Sequence, residues 1–96
     1  MLSISSAYYI DKYKLYVKFN NGDEGEINLE KMIKLDSRPI FKRLLDEDTF
    51  KNFVINRSTI VWFDELDIAP EYLYFLFKKE EPALQDRFKS WGYRNV

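Results

Sequence analysis

Ninety-six residues, 46% of them hydrophobic and 18% aromatic, give enough material for one hydrophobic core, and the single-domain expectation covers residues 1–96. Cysteine and histidine are both absent, which removes disulfides, thiolate nucleophiles, Cys/His zinc sites and imidazole acid–base chemistry. The net charge of −1 leaves no global field to draw the chain onto nucleic acid or anionic lipid.

The charge is also evenly spread. Residues 1–77 carry 10 Lys/Arg against 13 Asp/Glu, and residues 78–96 carry 5 against 3, a bias too weak for a nucleic-acid arm. The first six residues have neither a positive region nor a long apolar run, so no signal peptide is predicted. No window approaches the length of a membrane span. The expected setting is the cytoplasm.

In chain order, residues 2–10 are rich in β-formers and predict a first strand, turned at Asp11-Lys12-Tyr13. Residues 14–19 alternate, with Leu15, Val17 and Phe19 on one face and Lys14, Tyr16 and Lys18 on the other. Residues 23–29 form a third strand with Gly25, Ile27 and Leu29 on its apolar side. The intervening Asn20-Asn21-Gly22 sets the register. A two-residue loop would pair Val17 with Glu26, whereas a three-residue loop pairs Val17 with Gly25 and Leu15 with Ile27. A one-residue slip inverts the whole strand, so the buried face selects the three-residue loop, with Gly22 left-handed in a bulge.

Residues 30–33 predict one helical turn, and Asp36-Ser37-Arg38-Pro39 a break leading into a helix with Ile40, Phe41, Leu44 and Leu45 on one stripe. A capped turn follows at residues 48–51. A second hairpin pairs residues 53–55 with 60–62 across Asn56-Arg57-Ser58-Thr59, which brings Phe53 to Trp62 and Val54 to Val61. Both faces are apolar, so this hairpin is expected at the centre, covered on both sides. Pro70 is pre-set for the first position of a helix over residues 70–79, and Glu71 favours the positive end of its dipole. After Glu80-Glu81-Pro82, a last helix over residues 82–91 ends at Gly92, with Leu84, Phe88 and Trp91 as its apolar stripe. The predicted fold is α+β: an antiparallel meander of about five strands, short helices between the hairpins, and two C-terminal helices.

Several of these segments carry a family resemblance over residues 4–77. Trp62 and the run Asp67-Ile68-Ala69-Pro70-Glu71-Tyr72-Leu73-Tyr74 resemble the Trp-Pro-x-Gly-x-Asp-(Leu/Ile)-Ala-Pro-Glu-x-Leu-Tyr segment of the bacterial domain of unknown function catalogued as number 2442. The strand ending Phe19-Asn20-Asn21-Gly22, the run Gly25-Glu26-Ile27-Asn28-Leu29, and Leu45-Asp46 followed by Phe50 resemble other parts of that family. Phe63 stands where the family has Pro and Glu65 where it has Gly, which predicts a different shape for the turn after Trp62. The resemblance implies a small β-rich bacterial protein, sometimes fused to a helix-turn-helix and often encoded beside another small protein, as in toxin–antitoxin pairs.

Three groups of residues invite a chemical reading. Asp64, Glu65, Asp67 and Glu71 are hard-cation ligands by type, but they lack the alternating oxygens and central Gly of a calcium loop, and acids are expected at a helix start. Tyr8, Tyr9, Tyr13 and Tyr16 among Lys12, Lys14 and Lys18 resemble a single-strand stacking platform, yet cross-strand pairing also accounts for tyrosines in strands. The 70–79 helix is the third. Tyr72, Tyr74 and Phe75 surround its core stripe of Leu73, Leu76 and Phe77, so it needs cover on more than one side. Either the tail helix or a second chain supplies it.

The resulting expectation is a non-enzymatic binding or adaptor protein. Its protein interface is placed at Tyr72, Phe75 and Trp91, facing a partner or a second copy of itself, with no cofactor, metal or catalytic residue. The alternatives are a nucleic-acid-binding regulator and, behind it, a carboxylate- or metal-dependent hydrolase.

Overall fold

A computed structural model describes residues 1–94. Six strands form two three-stranded antiparallel sheets. The first contains β1 (Ile4–Asp11), β2 (Lys14–Phe19) and β3 (Glu24–Asn28); the second contains β4 (Val54–Asn56), β5 (Thr59–Trp62) and β6 (Leu66–Ile68). Between them lie α1 (Glu30–Leu35), α2 (Pro39–Lys42) with a 3-10 turn at Arg43–Leu45, and α3 (Glu47–Phe50). The chain continues through α4 (Pro70–Lys78), a 3-10 turn at Pro82–Leu84, and α5 (Gln85–Ser90). The fold is α+β as predicted, but the single five-strand meander is corrected to two sheets. The main-chain N–H of Ile4 donates to Ser58 O at 2.8 Å, tying the start of β1 to the turn of the second sheet.

The first hairpin has the three-residue loop that its buried face requires. Val17 pairs with Gly25 and Leu15 with Ile27. Gly22 N donates to Phe19 O, Phe19 N donates to Asp23 O, and Gly22 sits at φ +93°, a region that costs a side-chain-bearing residue about 1 kcal/mol or more. Leu15, Val17, Phe19 and Ile27 are buried, while Lys18, Glu24 and Glu26 are exposed. Alternation in the sequence has become an inner and an outer face.

The second sheet departs from expectation in two ways. Ile55 pairs with Ile60, but Asn56 also pairs with Thr59, so the loop shrinks to Arg57-Ser58, both left-handed at φ 50° and 69°, as a two-residue hairpin requires. β6 was not foreseen, and it takes the far side of β5. Hence β5, not the whole hairpin, is central: every β5 residue is buried, whereas Val54 on β4 is 56% exposed. Trp62 is fully buried, its indole N–H donating to Phe50 O at 2.7 Å and its ring 6.4 Å from Phe53.

The turn between β5 and β6 holds Phe63 at φ 60° and Asp64 at φ 57°. Proline is locked near φ −65°, so this conformation is closed to the residue that the resemblance puts at position 63. The guanidinium of Arg43 lies 3.8 Å from the centre of the Phe63 ring, a contact that offsets part of the strain.

Candidate interaction site

Helix α4 is the element on which the functional expectation rests, and the structure covers more of it than expected. Leu73, Tyr74 and Phe75 are buried; Tyr72, Leu76 and Phe77 are half-buried. On the sheet side, Phe77 stacks on Phe19 at 5.9 Å, and Tyr74 meets Phe19 edge-on at 5.1 Å and donates its hydroxyl hydrogen to Asp23 at 2.6 Å. Gly25 allows this approach, because a Cβ there would stand 2.4 Å from the Phe77 ring.

The other side is taken by the tail. Phe88 of α5 packs edge-on against Phe75 at 5.2 Å and lies 6.3 Å from Tyr74, and Tyr93 lies 5.4 Å from Phe75. The tail holds this position through its helix ending: Gly92 at φ +91° lets Gly92 N donate to Lys89 O and Tyr93 N to Phe88 O, which closes the last carbonyls and turns Tyr93 back onto α4. The predicted cap at Gly92 is present.

Tyr72 stacks on Phe75 at 6.1 Å and meets Tyr93 at 5.1 Å, whereas Trp91 lies against Tyr74 and Phe88, so the three expected interface residues are not one surface. Phe75 is 6% exposed; its availability is corrected, because α5 and Tyr93 supply the cover. Trp91 is half-buried against Tyr74 and Phe88, with the Arg87 guanidinium 4.9 Å from its ring centre. Tyr72 and Tyr74 are separated by roughly 200° around the helix, so Trp91, on the Tyr74 flank, does not join Tyr72.

Tyr72 instead borders a groove of about 500 Å³ between the end of β3, helix α1 and helix α4. Ile27, Met32, Leu35, Tyr72, Phe75 and Leu76 are its apolar lining, Phe75 reaching it from beneath α5, and Glu26, Lys31, Asp36, Lys79 and Arg94 give its walls both signs of charge. A smaller hollow of about 300 Å³ shares Met32, Asp36 and Tyr72 with it and runs on towards Phe41 and Ile68. Burial, and secondarily the charge of Asp36, pushes the Tyr72 phenol above its ordinary range. Asp36 is itself held below the usual carboxylate range by hydrogen bonds from the Arg38 side chain and then from the Arg38 main-chain N–H.

The most conspicuous groove residue is one that sequence reasoning passed over. Leu35 is 73% exposed. The expected helical turn at residues 30–33 continues to Leu35, and this extra length carries the leucine to the groove.

The other two groups resolve differently. Asp64 and Asp67 face Arg57 at 3.7 and 3.9 Å, and no three acidic side chains among the described residues converge to hold a metal ion. The tyrosine platform divides. Tyr8 and Tyr16 stack at 5.2 Å, with Tyr16 donating to Glu24, while Tyr9 and Tyr13 turn to Phe50 instead. No described helix is long and apolar enough to cross a membrane.

No curated protein matches the chain. Among solved structures, the chain is similar to the crystal structure of "Putative DNA Binding Protein NE0471" from Nitrosomonas europaea, with a TM-score of 0.73 and 18% identity over 95% of this chain and 59% of that one. An identity this low shows a shared fold alone, and the chain spans about three fifths of that protein's length. The profile of the family described as "Protein of unknown function (DUF2442)" matches residues 4–79, and the chain belongs to that family.

Proposed function

We propose that the chain is a non-enzymatic binding or adaptor domain whose docking surface is the groove between α1, α4 and the end of β3. The observation that carries this reading is the combination in the groove of a leucine left 73% exposed on α1, a half-buried Tyr72 and Leu76 on α4, and a rim of both charges. An apolar centre within a polar rim is the anatomy of a protein interface. An available Phe75 does not support the reading, since Phe75 is buried within the chain. The partner that fits the family resemblance is a small protein encoded beside this one, neutralised or assisted as in an antitoxin pair.

Leu35→Glu is the direct test, because Leu35 contributes little to the core. Capture of the neighbouring gene product by the wild type, lost in Leu35→Glu with an unchanged melting temperature, is the expected result. Retention of that partner by the variant would remove the groove as the docking surface.

A second reading, a nucleic-acid-binding regulator, is favoured by the printed name of the structural neighbour. Glu24 and Glu26 beside the Tyr8–Tyr16 stack weigh against it on that face. Fluorescence anisotropy with a labelled DNA duplex separates the readings: affinity that falls steeply with salt supports this second one, because binding releases condensed counterions.

A further inference from the structure

We infer that the groove takes its partner as an added β-strand along the open edge of β3, and that the strand alternates basic and apolar residues. The inference rests on the docking reading above and names what docks there. It begins with the hydrogen-bond phase of the first hairpin. Phe19 N donates to Asp23 O and Leu29 N to Tyr13 O, so the residues in step with Asp23 and Leu29, namely Gly25 and Ile27, turn their main-chain groups towards β2. In an antiparallel ladder the alternate residues turn theirs the other way. Glu24, Glu26 and Asn28 therefore present N–H and C=O outwards, on the side where the first sheet has no further strand. None of these outward groups has a hydrogen-bond partner among the described residues. Glu26, Ile27 and Asn28 also line the groove, so the open edge and the apolar hollow are one feature. An edge strand beside a helix-walled groove is the arrangement in which an extended peptide gains affinity from the main chain and specificity from alternate side chains.

The pleat assigns each position of the incoming strand. Residues opposite Gly25 and Ile27 point to the inner side, towards Met32 and Leu76 in the groove, and must be apolar. Residues opposite Glu24 and Glu26 share the outer face with two carboxylates. Glu26 has no ion-pair partner within the described chain; Glu24 accepts only the Tyr16 hydroxyl hydrogen among side chains. Opposite charges across a ladder stabilise and like charges destabilise, so lysine or arginine belongs there. The same rule disfavours a second copy of this chain, because two β3 edges paired about a two-fold axis would bring their four glutamates together on one face. The occupant is a segment of another protein.

The probe is the blocked heptapeptide acetyl-Lys-Val-Lys-Val-Lys-Val-Lys-amide, titrated into the ¹⁵N-labelled full chain. Its glutamate counterpart and a version N-methylated at alternate residues serve as controls. Slowed hydrogen exchange at the amides of Glu24, Glu26 and Asn28 is expected, with binding lost on N-methylation. The double variant Glu24→Lys/Glu26→Lys should weaken the lysine peptide roughly tenfold or more and bind the glutamate peptide better than the wild type does. No binding of the lysine peptide, binding without protection of those amides, or indifference to N-methylation overturns strand addition. If that happens while Leu35-dependent capture of the natural partner persists, the groove stands as a docking site and only the strand mode fails. Capture indifferent to Leu35 sinks the docking reading itself.

Discussion

The two sheets of this protein use their strands for different ends. In the first, each strand has one buried and one solvated face, and the far edge at β3 stays open beside a groove. In the second, β5 is flanked by β4 and β6 and buried on both faces, with Trp62 fully enclosed. Covering a strand on both sides concentrates apolar contact in a few residues, whereas covering one side leaves an outer face and an edge for recognition. The second sheet therefore gathers its buried side chains around one enclosed strand, whereas the first leaves its margin at β3 open.

The largest effect expected from that contrast is in the second sheet. Trp62→Ala removes a fully buried ring and leaves Phe50 O without its donor, and should cost roughly 3–5 kcal/mol, a large share of a small domain's stability. Chemical denaturation measures it, and a loss under about 1 kcal/mol would contradict the enclosure of Trp62 on β5. In the first sheet the sensitive point is the contact with α4. Gly25→Ala places a Cβ against the Phe77 ring and should cost about 1–3 kcal/mol by overpacking. An unchanged midpoint would mean that α4 stands off the sheet. The hairpin turn is a smaller test: Gly22→Ala should cost about 1 kcal/mol, since Ala disfavours positive φ, and a neutral result would contradict the three-residue loop.

The smallest effect is alkaline. The Tyr74 phenol is raised above its ordinary value of 10.0, first by burial and then by its hydrogen bond to Asp23. The folded state thus favours the protonated phenol. Its contribution is full below pH 10 and is lost as pH rises through the higher folded value. Tyr74→Phe should flatten the decline in melting temperature above pH 10; a decline identical to that of the wild type would assign it to other tyrosines.

The same contrast explains what was legible in the sequence. Strands with one buried face announce themselves by alternation, so the register of β2 on β3 follows from Leu15, Val17, Phe19 and Ile27 alone. Helix α4 and the α5 ending follow from Pro70 and Gly92, whose backbone constraints are local. Two-sided burial leaves no alternation to read: Val54 and Val61 look alike in sequence, yet only Val61 acquires a covering neighbour on each side. β6 was hidden because Leu66-Asp67-Ile68 lies within an acidic run that reads as a turn, and its strand character depends on pairing with β5. The groove was hidden for a similar reason. Leu35 is unremarkable until α1, β3 and α4 meet around it, and Phe75 looks like surface until α5 folds over it.

Two substitutions test the central claim, that Phe75, which reaches the groove but is held by Phe88 and Tyr93, serves the fold, while the exposed Leu35 on α1 serves binding. Phe75→Glu and Leu35→Glu are compared by thermal melting and by capture of the partner proposed above. The account predicts that Phe75→Glu unfolds, whereas Leu35→Glu melts like the wild type and captures nothing. A folded Phe75→Glu that loses the partner, or a Leu35→Glu that keeps it, would contradict the account.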